Sequence, residues 1–248
     1  VQEYNESISI LRDLADKNPY VFLPLVANNI YELSLVHFHS HNYDLAEQEC
    51  NESISIYRKL VEKNPDVFKP NLALSLGNLA NVHKDLQQYE LAEREYNEAI
   101  AMYSDLISKS PDAFLPDTAS NLCSMASLHM VMQKYELAEK ELVESLATYQ
   151  KIVTEQSNLY NKKIATVLDN LSHCYYKLGK YDLVIPKIEE AISLTPTVRY
   201  YDSKGEFLML FGREDEANAV YEKIREIEPT YFNKNHTDFY KLLFGETE

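Results

Sequence analysis

Tyr89-Glu-Leu-Ala-Glu-Arg-Glu-Tyr-Asn-Glu-Ala-Ile100 decides the fold, because its opening recurs at a fixed spacing. Tyr43-Asp-Leu-Ala-Glu47, Tyr135-Glu-Leu-Ala-Glu139 and Tyr181-Asp-Leu-Val-Ile185 are the other copies, and the four tyrosines stand 46 residues apart without slippage. A fixed period of this size marks a repeat array, in which each unit buries its apolar face only against its neighbours. Within residues 89–109, Leu91, Ala92, Tyr96, Ala99, Ile100, Tyr103, Leu106 and Ile107 follow helical spacing, so each copy opens an amphipathic helix.

Composition supports a helical array. The 248 residues are 45% hydrophobic, and only 5 are glycine, which disfavours hairpins and glycine-rich phosphate loops. The formal charge is −15 and no basic tract occurs, so nucleic acid and anionic membranes are poor partners on electrostatic grounds. No unbroken run of 18 apolar residues is present, so no membrane span is expected. Cys50, Cys123 and Cys174 form no CxxC pair and are odd in number, which suits core thiols in a reducing, cytoplasmic compartment. The first residue, Val1, aligns inside a repeat, so the expectation is a fragment of a longer protein.

Outward from the tyrosines, the chain divides into a partial repeat helix at 1–18, long units at 19–64, 65–110, 111–156 and 157–197, a shorter unit at 198–230, and a tail at 231–248. Each of the first three long units opens on a double-proline segment: Pro19 to Pro24, Pro65 to Pro70 and Pro111 to Pro116. Two prolines five residues apart predict a non-helical linker, plugged by Phe22, Phe68, Phe114 and, in the fourth copy, Tyr160. First helices are then expected near 25–40, 71–86, 117–132 and 161–178. Second helices follow near 43–63, 89–109, 135–156 and 181–194, with Pro186 disrupting the last. A helix at 235–244 would cap the array.

In this pattern the chain resembles the tetratricopeptide repeats. The unit at 198–230 shows it best: Tyr201, Gly205 and Leu208 fall on first-helix signature positions, and Ala217, Tyr221 and Pro229 on those of the second helix. In the long copies the template selects Leu76, Ala80, His83, Ala92, Tyr96 and Ala99, then Leu122, Ala126, His129, Ala138, Leu142 and Ser145. The period is similar to that of the longer variants in kinesin light chains and bacterial signalling proteins. Ser34 and Ser172 depart from the small Ala or Gly usual at their position. The resemblance implies an all-α, right-handed superhelical solenoid of antiparallel helix pairs, as a single body over 1–248.

Catalytic constellations are weak. His37-Phe-His39-Ser-His41 invites a metal reading, but alternate residues of a helix diverge, and His37, His83 and His129 recur every 46 residues at a packing position. Acid pairs such as Glu93 with Glu95 read as solvated helix faces. No phosphate-binding or nucleophile motif is present, so no enzyme, no cofactor and no metal are expected.

The resemblance implies that first-helix residues line a concave groove. Carried over position by position, it selects Tyr31 and Phe38 for apolar contact, and Asn81, Lys84, His173, Tyr176, Lys177 and Arg199 for polar contact with a partner peptide or helix. The bland alternative packs Tyr31 and Phe38 against an upstream repeat. The function expected is a protein–protein interaction scaffold, with self-association through the N-terminal repeat face as a further mode. The rival is a regulatory arm of a larger enzyme whose catalytic domain lies upstream.

Overall fold

The computed structural model describes residues 1–152 and 159–231. The chain divides into two compact units, Val1–Ile152 and Val153–Glu248. The first holds α1 (Gln2–Lys17), α2 (Pro19–His39), α3 (Tyr43–Lys63), α4 (Pro65–Asp85), α5 (Tyr89–Lys109), α6 (Pro111–Val131) and α7 (Tyr135–Ile152). The second holds α8 (Asn161–Lys177), α9 (Tyr181–Leu194), α10 (Val198–Leu210) and α11 (Glu214–Ile227). All eleven elements among the described residues are helices. Within each unit successive helices pack on one another through short turns, so neighbours run antiparallel. The capping helix expected at 235–244 lies outside the described residues.

The double-proline segments are helix, not linker. α2, α4 and α6 start on Pro19, Pro65 and Pro111, and run through Pro24, Pro70 and Pro116. The first proline of each pair costs little, because the first helical amide has no intrahelical acceptor and the ring already fixes φ. The second proline stands at the sixth position and removes one bond, to the carbonyl four residues back. Tyr20 and Asp66, which own those carbonyls in α2 and α4, are exposed, so water can take the vacated place. Pro186 repeats the geometry at the sixth position of α9, opposite exposed Asp182, and the helix continues to Leu194. The connector between units of the first body is thus one residue: Asn18, Asn64 or Ser110.

The turns inside each pair are alike. His41, Gln87, Gln133, Gly179 and Gly212 all have φ between 59° and 71°. The amide of the residue after each bonds back to a helix carbonyl five residues earlier, as in Asn42 to His37 at 2.9 Å and Lys134 to His129 at 2.8 Å. This left-handed termination satisfies carbonyls at the end of the first helix.

The core of the first unit is continuous. One cluster joins Ala27 of α2, Cys50, Ile54 and Tyr57 of α3, Leu72, Leu76 and Leu79 of α4, and Ala99, Tyr103 and Leu106 of α5. Phe68 and Phe114 pack against it, and Phe22 against the Ile8–Ile30 cluster, in the plugging role expected of them. Ala46, Ala92 and Ala138 are fully buried, which lets the paired helices close on each other. The serines that depart from the repeat pattern are satisfied by backbone: Ser34 donates to Tyr31 O at 2.6 Å and Ser172 to Leu168 O at 2.9 Å. Among the described residues, α2 alone is long and apolar enough to cross a membrane by length and composition. Val26, Ala27, Ile30 and Leu33 on that helix are buried in the core, as a central packed helix requires.

Candidate functional site

In the first unit, α2, α4 and α6 each contribute side chains to a hollow of about 160 Å³. It is lined by Tyr31 and Leu35 of α2, Leu74, Gly77, Asn78 and Asn81 of α4, and Ser120, Asn121 and Ser124 of α6. Tyr31, Gly77 and Cys123 occupy one position in three successive repeats, and the missing side chain at Gly77 opens the space. Asn121 leans over that glycine: a Cβ at Gly77 would stand 2.5 Å from Asn121 Oδ1. Asn78 Nδ2 donates to Ser34 Oγ at 3.0 Å, and Asn121 Nδ2 to Asp117 O at 2.9 Å.

Two of the expected groove residues meet here. Tyr31 is 9% exposed, and burial foremost, then the charge of Glu32, pushes its hydroxyl well above the ordinary tyrosine range. Asn81 lines the hollow with part of its amide engaged: Nδ2 donates to Gly77 O at 3.0 Å, and Oδ1 accepts from Tyr96 Oη at 2.7 Å. Phe38 and Lys84 are not among the lining residues. Phe38 packs edge-on to Tyr43 at 5.8 Å inside its own repeat, and the Lys84 ammonium is 4.0 Å from neighbouring Asp85.

The other four candidates belong to the second unit. Arg199 Nη2 donates to Asp169 Oδ2 at 3.0 Å, so the cation expected to meet a ligand is paired within the fold. His173 Nε2 lies 3.4 Å from Ser203 Oγ, and its ring is 4.8 Å from Phe207. Tyr176 sits in a nest of rings, 5.7 Å from Tyr181, 5.8 Å from Phe207 and 6.1 Å from Phe211. The Lys177 ammonium is 5.9 Å from the Tyr176 ring centre, within cation–π range.

The periodic histidines form a feature that the sequence reading only half caught. His37 Nδ1 donates to Glu49 at 2.8 Å, His83 Nδ1 to Glu95 at 2.7 Å and His129 Nδ1 to Glu141 at 2.8 Å. The far ring nitrogen then reaches the preceding repeat: His83 Nε2 is 3.4 Å from Glu47, and His129 Nε2 is 3.3 Å from Glu93. Each of these two imidazoles joins second helices of successive repeats. For His83, burial opposes charge, yet Glu95 and Glu47 outweigh it and raise the pKa. For His129 the Glu141 hydrogen bond leads the same upward shift. Lys134 holds Glu93 at 2.9 Å and lowers its pKa. Glutamates at the 46-residue period, twelve positions after each histidine, were the available sequence signal. Among the described residues no group of three or more His, Cys, Asp or Glu has metal-holding geometry.

Comparison with known proteins agrees with this architecture. A tetratricopeptide-repeat profile matches residues 25–105, and a second matches residues 165–197. Among solved structures, BtubC (BKLC) from P. vanneervenii superposes with a TM-score of 0.73 at 19% identity, covering 96% of this chain and 92% of that one. A putative kinesin light chain of Podosopora anserina with nearly identical TPR-like repeats gives 0.66 at 14%, covering 85% and 98%. The apo form of RapI gives 0.70 at 14%, covering 97% of this chain and 64% of that one. These identities speak for the fold alone. No curated protein sequence matches the chain.

Proposed function

We propose that the chain, which tetratricopeptide-repeat profiles match over 25–105 and 165–197, works as a repeat scaffold of that kind and holds an extended segment of a partner protein against the wall formed by α2, α4 and α6. Repeats of this kind are non-catalytic protein-interaction scaffolds. One observation carries the proposal: first helices of three successive repeats contribute polar side chains and backbone-thin Gly77 to a single open hollow. A peptide lying across them would find hydrogen-bonding groups at each repeat and apolar walls from Leu35 and Leu74. Three cysteines, odd in number and without a CxxC spacing, favour a reducing compartment, and we place the protein in the cytoplasm on that ground.

Site-specific photo-crosslinking tests the proposal. A crosslinker at Leu74, which is 40% exposed on the wall, should trap a partner protein. One at Val143, 47% exposed on second helix α7, should not. Equal trapping at both positions, or at Val143 only, would move the interface off the first-helix wall and overturn the reading.

A further inference from the structure

The three first helices that form the wall are acidic. Over α2, α4 and α6 the sequence places five carboxylates against two ammonium groups, Lys69 and Lys84. Both lysines already face carboxylates, Lys69 that of Asp105 and Lys84 that of Asp85 at 4.0 Å. No lysine or arginine lines the hollow. Glu32 is different. It is half-buried, and its carboxylate makes no hydrogen bond or ion pair among the described residues. It stands at the repeat position that Asn78 and Ser124 hold one and two periods later, and both of those line the hollow. Its charge reaches Tyr31 as well: burial raises the pKa of the Tyr31 hydroxyl most, and Glu32 and Asp117 are among the charges that raise it further.

The walls add acceptors to this negative field. Asn121 spends its Nδ2 on Asp117 O, and its carbonyl oxygen leans over Gly77, where a Cβ would stand 2.5 Å from it. The hydroxyls of Ser120 and Ser124 can accept as well as donate. A negative potential with neutral acceptors around it favours a cation, whereas an incoming carboxylate meets like charge. Drawing a cation out of water is costly, and charge-assisted hydrogen bonds to a carboxylate offset that cost. The volume, about 160 Å³, far exceeds the roughly 10–15 Å³ that one water needs, so the end of a long side chain fits.

We propose that the hollow receives the charged end of an arginine or lysine side chain from an extended partner segment, with Glu32 as its counter-charge and the wall oxygens as further acceptors. The inference rests on the scaffold reading above and adds the charge of the segment that the wall selects.

A displayed random heptapeptide library, selected on the full chain, is the probe. Enriched peptides should carry Arg or Lys at one fixed position. In synthetic copies, glutamine at that position keeps hydrogen-bonding groups and drops the charge, and it should weaken binding about tenfold, equivalent to about 1.4 kcal/mol. Glu32→Gln in the protein should cause a similar loss. Glu136→Gln, on the exposed face of second helix α7, removes the same charge from the surface and should leave the affinity unchanged. Thermal melts of both variants establish that they remain folded. Enriched peptides with no basic preference, a Glu32→Gln variant that binds as tightly as the parent, or equal losses in the two variants would overturn the cation site while leaving the scaffold standing. A selection that enriches nothing would bring down the scaffold reading as well.

Discussion

Gly205 is buried on α10 because its neighbour leaves no room for more: a Cβ there would stand 2.5 Å from Cε1 and 2.7 Å from Cζ of the Tyr221 ring. Tyr221 is 4% exposed on α11 and cannot swing aside. Gly205→Ala is therefore expected to destabilise the second unit by about 2 kcal/mol, the ordinary size of an overpacked core. Urea titration followed by circular dichroism would read the shift, and an unchanged midpoint would mean that α10 and α11 separate freely. This contact was legible in the sequence, since Gly205 and Tyr221 both fall on repeat signature positions. The comparable contact of Asn121 over Gly77 was not, because it joins two repeats that the signature treats separately. The pairing of Arg199 was hidden for the same reason: its salt bridge to Asp169 comes from a residue thirty positions earlier.

At the scale of the element, the prolines show how local rules depend on place. Pro24, Pro70, Pro116 and Pro186 break no helix, and for Pro24, Pro70 and Pro186 the one lost hydrogen bond frees the carbonyl of an exposed residue. The histidine bridges act between elements and carry a pH dependence. His129 meets Glu141 from α7 and Glu93 from α5, and Lys134 pairs with Glu93 in turn. Its folded-state pKa is raised above the unfolded value of about 6.5, so the stabilisation is full below that pH and is lost as pH rises through the folded value. His129→Gln should lose about 2 kcal/mol in mildly acidic solution and progressively less at alkaline pH. Melting temperatures of both proteins across that range should converge upward in pH; a constant gap would show that the imidazole acts only as a spacer.

The whole molecule consists of two compact units, and the first contains three successive repeats with their shared core and both two-sided histidine bridges. Repeat arrays derive stability from nearest-neighbour interfaces. Residues 1–152 expressed alone should accordingly give a helical circular-dichroism spectrum and a cooperative melt. A fragment that stays disordered would show that the first unit depends on residues beyond 152. The formal charge of −15 keeps the surface acidic, while the hollow on the first-helix wall is lined by uncharged groups.

The sequence by itself determined the helix pairs, their turns and the buried alanines, because all of these follow from neighbour relations that repeat every 46 residues. A period states which positions face the next unit. It does not state which side chain crosses the gap, in which rotamer, or whether its polar atoms are already engaged. Only the tertiary structure decided that Tyr31 and Asn81 share a hollow, that Phe38 turns to Tyr43, that Arg199 pairs with Asp169, and that His83 and His129 bridge glutamates from two repeats. Those contacts depend on what two different repeats place opposite each other, and the repeat pattern averages that difference away.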